Sequence, residues 1–336
     1  MAMLSQRATC LCLVAVAAVF LPTGLAAAPA PSYPCFRAAQ APTIDGEVAG
    51  DAGWEAVPGV TGFYVLGDGY TLAKQTTAFA CYDDANLYVA MVCEEPDVAL
   101  VQSVMRDGDG VWAEDSVEIF VEPVVHGPVY QFGISAGGAR CGFAAATNDG
   151  GWEVAARKTE RAYAVEAKFP FSLFASAPPA VAAYHVAFCR NIWVYDSGGD
   201  KFTSWPALIR QFNEPTSFAT LAFQPGVVSA AQTERIEASL NAAYRESLVQ
   251  KIAALLPEAQ EYLPMLERAA ADETSRWRSE GRRIIAQWRR LHRLSANAQQ
   301  ASLAELREAA SSSTALRQAS YDVAYRYLID QLLADM

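Results

Sequence analysis

Short apolar or alternating segments recur along the chain as far as about Phe223, and clusters of Gly, Pro, Asp and Asn separate them. This pattern predicts β-strands joined by turns. Since many short strands follow one another with no helix between them, we expect a mainly β fold, an antiparallel β-sandwich of jelly-roll or immunoglobulin-like type. The predicted strands include residues 63–66, 76–82, 87–93, 116–122, 129–135, 163–169, 184–192 and 218–223.

Two of these segments also predict which way their side chains point. Residues 87–93 are apolar at every position, which is typical of a central strand that is buried on both faces. Residues 116–122 alternate, so one face of that strand should enter the core and the other should not. Val117, Ile119 and Val121 lie on the first face, and Glu118, Phe120 and Glu122 lie on the second.

The composition changes after Pro225 and Gly226, where Gly and Pro nearly vanish and Ala, Leu, Arg and Glu become frequent. Apolar residues in the middle of this tail recur largely in steps of three and four, as in helical and coiled-coil segments. We expect helices at about 230–256, 258–296 and 303–334, interrupted at Pro257 and at the serines 311–313. They would form an antiparallel helical hairpin or a three-helix bundle. The predicted domains are a sandwich at 29–225 and a helical domain at 226–336.

The first residues resemble a secretory signal. Arg7 precedes an apolar run at 10–21 that is too short to span a bilayer, and the small residues 26–28 follow it. We therefore expect a signal peptide at 1–28 and a secreted or periplasmic mature protein. No later segment is long and apolar enough to predict a membrane span.

Charge separates the two predicted domains. Residues 29–226 contain 11 Lys/Arg and 23 Asp/Glu, a balance of −12, whereas residues 227–336 contain 14 of each. An acidic sandwich argues against a nucleic-acid partner and suits neutral or cationic ligands. Arginines around Trp277 and Trp288 leave open a protein partner or self-association through the tail, although its zero balance favours helices that neutralise one another.

Five cysteines remain after the predicted signal, and no pair has a spacing suited to zinc. An odd number in an oxidising compartment allows at most two disulfides. The alternatives are one or two disulfides, or buried thiols that act as small apolar side chains. The five are Cys35, Cys81, Cys93, Cys141 and Cys189.

Five segments spread over the predicted sandwich carry a recognisable pattern: APTIDG at 41–46 with DAGW at 51–54, YDDANLYV at 82–89, WAEDSVEIF at 112–120, YAVEAKFPF at 163–171, and SWP at 204–206 running to FATL at 218–221. In this order they resemble the family-9 carbohydrate-binding modules. The resemblance covers nearly all of residues 38–223 and leaves the helical tail outside it. It implies a non-catalytic sandwich that binds the end of a polysaccharide or oligosaccharide.

The resemblance also implies a binding site. Trp112 and Trp205 occupy positions similar to two tryptophans that hold a terminal sugar between them, and Glu118 matches an acceptor for sugar hydroxyls. Arg140 lies about where the family has an arginine. No asparagine precedes Trp205, so Asn191 is the nearest amide that could substitute. Trp152 and Trp193 are the next candidates for an aromatic wall.

Calcium is the expected cofactor, because similar modules carry it and because the turns contain hard oxygen donors. Solvated turn carboxylates are the alternative interpretation of the same residues. The candidate ligands are Asp83, Asp84, Asp107, Asp109 and Asp115.

The sequence shows no motif for a catalytic nucleophile, so we expect no enzymatic activity and at most an accessory role in carbohydrate breakdown. One alternative is a haem-b electron-transfer domain, since related sandwiches hold haem between Met and His. Met91 or Met105 with His185 would supply that pair. The other alternative is a scaffold protein that acts through its helical tail.

Overall fold

The computed structural model describes residues 31–146, 150–174, 176–194, 201–334 and 336. The predicted signal peptide at 1–28 lies outside the described residues and stays a prediction. Among the described helices, none combines the length and the apolar character needed to cross a membrane.

In the described part of the chain, twelve strands form one continuous sheet. The strands pair in the order β7-β6-β5-β10-β12-β1-β3-β4-β9-β8, with β11 added to β10 and β2 added to β11. Phe132 of β6 contacts Phe169 of β9 with ring centroids 4.4 Å apart, so the two halves of the sheet face each other across a shared core. The bounds are β1 Ser32–Arg37, β2 Tyr64–Val65, β3 Thr76–Tyr82, β4 Asn86–Glu94, β5 Ser116–Glu122, β6 Tyr130–Ser135, β7 Arg140–Ala144, β8 Glu153–Lys158, β9 Ala162–Pro170, β10 Ala183–Asn191, β11 Phe202–Trp205 and β12 Ala219–Gln224.

The mainly β prediction is confirmed, and β3 and β5 have the predicted bounds. On β5 the predicted apolar face points into the core, and β4 is buried on both faces. The prediction missed β1, β7, β8 and β11. It was also wrong in making every pair antiparallel, because β1 runs parallel to both β12 and β3. The jelly-roll or immunoglobulin-like subtype stays a prediction.

All five cysteines of the described chain are free thiols, and all are buried. Cys35 and Cys93 point into the core, whereas Cys81 lies on the outer face of one half and Cys189 on the outer face of the other. Among the described residues no cysteine is bonded to another, so the structure agrees with the buried-thiol alternative and not with a disulfide. Burial raises the pKa of each of the five thiols.

The described residues of the tail form four helices, α1 Ala230–Leu240, α2 Ala242–Ala271, α3 Arg278–Ala296 and α4 Leu303–Ala334. Pro257 lies inside α2 and the serines 311–313 lie inside α4, so both predicted interruptions were wrong. The three serine hydroxyls donate to carbonyls three residues earlier, which satisfies them without ending the helix. The break between α2 and α3 falls instead at residues 272–277.

Three of these helices form a bundle in which α2 and α4 are parallel and α3 is antiparallel to them. Glu258 pairs with Arg317 and Tyr262 contacts Tyr321, which sets α2 alongside α4 in the same direction. Trp288 Nε1 donates to Ser320 Oγ at 2.9 Å, and this bond joins α3 to α4.

The helical tail packs on the sandwich where α1 ends and α2 begins. Asn241 accepts from Thr61 N at 2.8 Å, and Glu237 accepts from Gly59 N at 2.7 Å. Gly62 has φ +79, and a Cβ at that position would lie 2.5 Å from Tyr244 Cβ. A glycine is therefore required both for this backbone conformation and for the close approach of α2.

Candidate functional site

A pocket of about 570 Å³ lies on the outer face of the half-sheet that contains β6, β5, β10 and β11. Its lining is mainly apolar, with a few polar groups at the floor, which is the usual make-up of a small-molecule site. The segment 210–213 closes one side. The aromatic members of the lining are Trp112, Phe120, Phe143, Trp193, Phe202 and Phe212.

The floor follows from the register of three strands. Glu118 on β5 is paired with Gly133 on β6 and with Cys189 on β10. Gln131 and Asn191 stand two residues from those partners, so their side chains share the face of Glu118. Glu118 accepts Asn191 Nδ2 on one oxygen at 2.8 Å and Gln131 Nε2 on the other at 2.5 Å.

This arrangement fixes both amides. Asn191 Nδ2 also donates to Ser116 Oγ at 3.1 Å, so its two amide hydrogens are used on the sheet. Because the amide nitrogens of Asn191 and Gln131 turn toward the carboxylate, their oxygens are the groups left to meet a ligand. Burial raises the pKa of Glu118 above its ordinary 4.5, although the two amide bonds act in the opposite direction.

Trp112 forms one wall. It belongs to a 3₁₀ turn at Val111–Ala113 that rests on the sheet over Gly133. A Cβ at Gly133 would lie 2.7 Å from Val111 Cγ2, so a larger residue would lift this turn. The indole is 38% exposed and meets Phe143 edge to face, with ring centroids 5.7 Å apart.

Trp193 forms a second wall, next to Trp112. Buried Asp115 accepts Trp193 N at 2.9 Å and Gln102 N at 2.9 Å. One carboxylate thus holds the segments that contain residues 102 and 193. Trp193 Nε1 donates to the carbonyl of Trp112 at 3.0 Å. Lys201 Nζ lies over the Trp193 ring, 3.2 Å from its centroid, so at most one face of this indole is open to a ligand.

Trp205 is placed differently from the prediction. It is 6% exposed in the core, stacked on Phe188 with centroids 5.9 Å apart. Its strand explains this position, because Phe202 faces the pocket and Trp205, three residues later, points to the opposite face. The prediction that Trp205 lines the site is therefore corrected, and the tryptophan that lines the pocket beside Trp112 is Trp193. Trp152 is also in the core, 1% exposed.

Arg140 is likewise outside the pocket lining. It is paired with Ile134 and so lies on the core side of the edge strand β7. Its guanidinium is 3.7 Å from Asp107 and lies over the ring of Trp152, 5.3 Å from the centroid. The structure thus brings Trp112, Glu118 and Asn191 together and leaves Arg140 and Trp205 away from them. Gln131, Phe143 and Phe202 were missed, although the alternation of strands would have placed Gln131 beside Glu118 once β5 and β6 were paired.

The five calcium candidates already accept hydrogen bonds or pair with an arginine. Among the described residues, no three carboxylate, His or Cys side chains are grouped so as to hold an ion. Asp83 and Asp84 lie in the β3–β4 turn, where Asp83 accepts from Tyr88 and Asp84 pairs with Arg37. Each of the other three accepts backbone N–H groups: Asp107 from Arg140, Asp109 from Arg106, and Asp115 from Gln102 and Trp193. Calcium binding stays a prediction, which the melting midpoint with and without chelator would test.

The Met91–His185 pair of the haem alternative gains no support from the placement of its residues. Met91 is buried in the core between the two halves of the sheet. His185 lies between Tyr184 and Val186, which enter the core, and so points to the outer face. Its Nδ1 is 3.0 Å from Glu122 Oε2. Met91 and His185 therefore lie on opposite faces of a sheet and cannot hold one iron between them.

Comparison with known proteins defines the class to which this sandwich belongs. The family model described as "Carbohydrate family 9 binding domain-like" matches residues 44–224, more than half of the chain. The chain therefore belongs to the carbohydrate family 9 binding domain-like family. A search of curated protein sequences finds no match.

Three solved structures are similar to part of this chain at low sequence identity. A family-9 carbohydrate-binding module from Caldicellulosiruptor kristjanssonii in complex with cellotriose has 17% identity and a TM-score of 0.43, covering 57% of this chain and 93% of its own. The complex with glucose has 17% identity and a TM-score of 0.42, covering 56% and 95%. A candidate carbohydrate-binding protein from Bacteroides uniformis has 16% identity and a TM-score of 0.47, covering 58% and 100%.

Proposed function

We propose that this chain is an exported, non-catalytic protein that binds a neutral saccharide in the pocket of Trp112 and Trp193 and serves carbohydrate breakdown as an accessory. The observation that carries the proposal is the floor, in which a buried carboxylate orients two amides beneath aromatic walls. Family membership supports the same ligand class.

The chemistry of the pocket suits a pyranose. The apolar face of the sugar can cover an indole, while hydroxyls at its edge donate to the amide oxygens of Asn191 and Gln131. A buried, amide-bonded Glu118 repels an anionic sugar approaching the floor. Neutral sugars therefore fit better than uronic acids.

The lining also supports a binding role in place of catalysis. Glycoside hydrolysis requires two carboxyl groups on either side of the bond that breaks. Glu118 is the one carboxylate among the described lining residues, and both of its oxygens are engaged by amides.

The test is a calorimetric titration with glucose and cellotriose, and with other neutral and acidic oligosaccharides. We expect at least one neutral saccharide to bind, and Trp112→Ala to weaken it about fivefold to tenfold through loss of a stacking wall. Leu100→Ala is the control, because Leu100 is an exposed apolar residue outside both the pocket lining and α4. A folded protein that binds no neutral saccharide, or a Trp112→Ala variant that binds like the parent, contradicts the proposal. Sequencing the N-terminus of the secreted mature protein tests export.

A further inference from the structure

The last turns of α4 carry an apolar face that nothing in the described chain covers. At about 100° per residue, six side chains lie within an arc of roughly 140°. Val323, Ala324 and Tyr327 are buried against the bundle on the opposite side of the same helix. The exposed fractions are Tyr321 47%, Tyr325 53%, Leu328 38%, Ile329 39%, Leu332 58% and Leu333 63%.

The spacing of this face favours a helix as its partner. Residues 321, 325, 328 and 332 follow steps of four, three and four, which is the seam of a coiled coil. Tyr321 and Tyr325 are already stacked, with centroids 5.7 Å apart and planes 7° from parallel, so half of the seam is ordered before any partner arrives. A helix that is apolar on two opposite sides is normally covered on both.

The surrounding charges distinguish between possible partners. Asp322 is the charged residue within the arc. Glu258 and Glu261 lie on α2 near Tyr321, where the arc begins. These carboxylates disfavour an anionic lipid surface, whose helical ligands carry Lys and Arg along the apolar face. At the borders of the arc, Arg317 pairs with Glu258 and the guanidinium of Arg326 lies over the ring of Trp277, 5.7 Å from its centroid, so both border cations are engaged within the chain. A second copy of the face would therefore meet little like-charge repulsion.

We propose that this face, the exposed side of residues 321–333 on α4, binds the same face of a second copy of the chain in an antiparallel, two-fold arrangement. One half of the seam is aromatic and the other half is aliphatic, so reversing one helix places Tyr321 on Leu332 and Tyr325 on Leu328. A parallel pair would bring together two sandwich segments with a balance of −12 each. The antiparallel pair separates them.

The seam is short, about 18 Å for its 12 residues at 1.5 Å per residue. Stable complexes commonly bury about 800 Å² on each partner, and a seam of this length buries less. We therefore expect a dimer that dissociates at concentrations on the order of micromolar. If the proposed saccharide site is correct, the dimer presents two pockets and gains avidity for a polysaccharide. That consequence rests on the proposed function, whereas dimerisation is measured without saccharide and can fail or succeed by itself.

Sedimentation velocity of the full chain across micromolar concentrations tests the association. The parent should shift from monomer to dimer, and the double variant Leu328→Asp with Leu332→Asp should dimerise at least about tenfold more weakly, because two charges would be buried at the seam. Leu100→Asp is the matched control, since Leu100 is 61% exposed before β5 and lies outside α4. A parent that stays monomeric throughout overturns the proposal, and so does a monomer that binds anionic phospholipid vesicles through this face.

A short thiol cross-linker tests the orientation. In the antiparallel pair, position 328 and its copy are offset by about 4.5 Å along the axis, and position 332 and its copy by about 16 Å. Leu328→Cys should therefore cross-link and Leu332→Cys should not. The five thiols of the described residues are buried, and the parent serves as the blank. Equal cross-linking at both positions overturns the antiparallel arrangement.

Discussion

Replacing Trp205 and Trp112 separately by Ala distinguishes a core tryptophan from a ligand wall. Trp205 is 6% exposed and packs on Phe188 and Tyr33, whose ring centroids lie 5.9 Å and 6.3 Å away. Truncation removes these contacts and leaves a cavity at the centre of the sandwich. Such changes cost about 3–5 kcal/mol of the free energy of unfolding. A domain of this size loses about 2–4 °C of melting temperature per kcal/mol, so we expect a decrease of about 6–20 °C.

Trp112→Ala should leave the stability almost unchanged and weaken saccharide binding instead. Its indole is 38% exposed and its ring contact is with Phe143, itself 55% exposed, so truncation leaves no internal cavity. We expect a change of the unfolding free energy within about 1 kcal/mol, together with the fivefold to tenfold loss of saccharide affinity.

Circular dichroism melts and calorimetric titrations on the same preparations give both quantities. The reasoning is refuted if Trp205→Ala keeps the melting temperature of the parent and loses saccharide binding. That result would move the ligand to the face of β11 that the structure assigns to the core.

Two further predictions concern Glu118 and Gly62. Burial raises the folded-state pKa of Glu118 above 4.5, so its contribution to stability is present below pH 4.5 and is lost as the pH rises through the raised pKa. Denaturant melts at several pH values give the free energy of unfolding of the parent and of Glu118→Gln. The parent's value minus the variant's should therefore fall from acid to neutral pH, and a flat difference contradicts the assigned burial. Gly62→Ala should lower the free energy of unfolding by about 1–2 kcal/mol because of its φ of +79, and by a further amount because of the clash with Tyr244. Gly50→Ala, with φ +88 and nothing within 4 Å, should show the backbone part alone, and equal losses in the two variants would remove Tyr244 from the explanation.

The strands that the sequence predicted well are those whose own pattern is strict. β5 alternates cleanly and β4 is apolar throughout, so local periodicity indicates both strand and orientation. β7 and β8 lie at the two ends of the sheet, where one side has no partner strand and polar residues are tolerated. β11 has four residues, too few for a period of two to be distinguished from a loop. Pro257 and the serines 311–313 were predicted as breaks because their local helix propensity is low. In the folded bundle, packing overrides that propensity and both helices continue.

For the site, the sequence by itself determined the residue types and the face of one strand. Glu118 opposite Val117 and Ile119 follows from alternation, Trp112 follows from the family resemblance, and Asn191 was named as the nearest substitute for an asparagine that the family has and this chain lacks. Only the tertiary structure decided that Asn191 and Gln131 share the two oxygens of Glu118, because that contact depends on the register of β6 and β10 against β5. It also decided between the two tryptophans: Trp205 turns inward through its pairing with Phe188, and Trp193 is held at the pocket by Asp115. A side chain's face follows from local sequence when the strand is known, but its neighbours are set by strands that lie far apart in the chain.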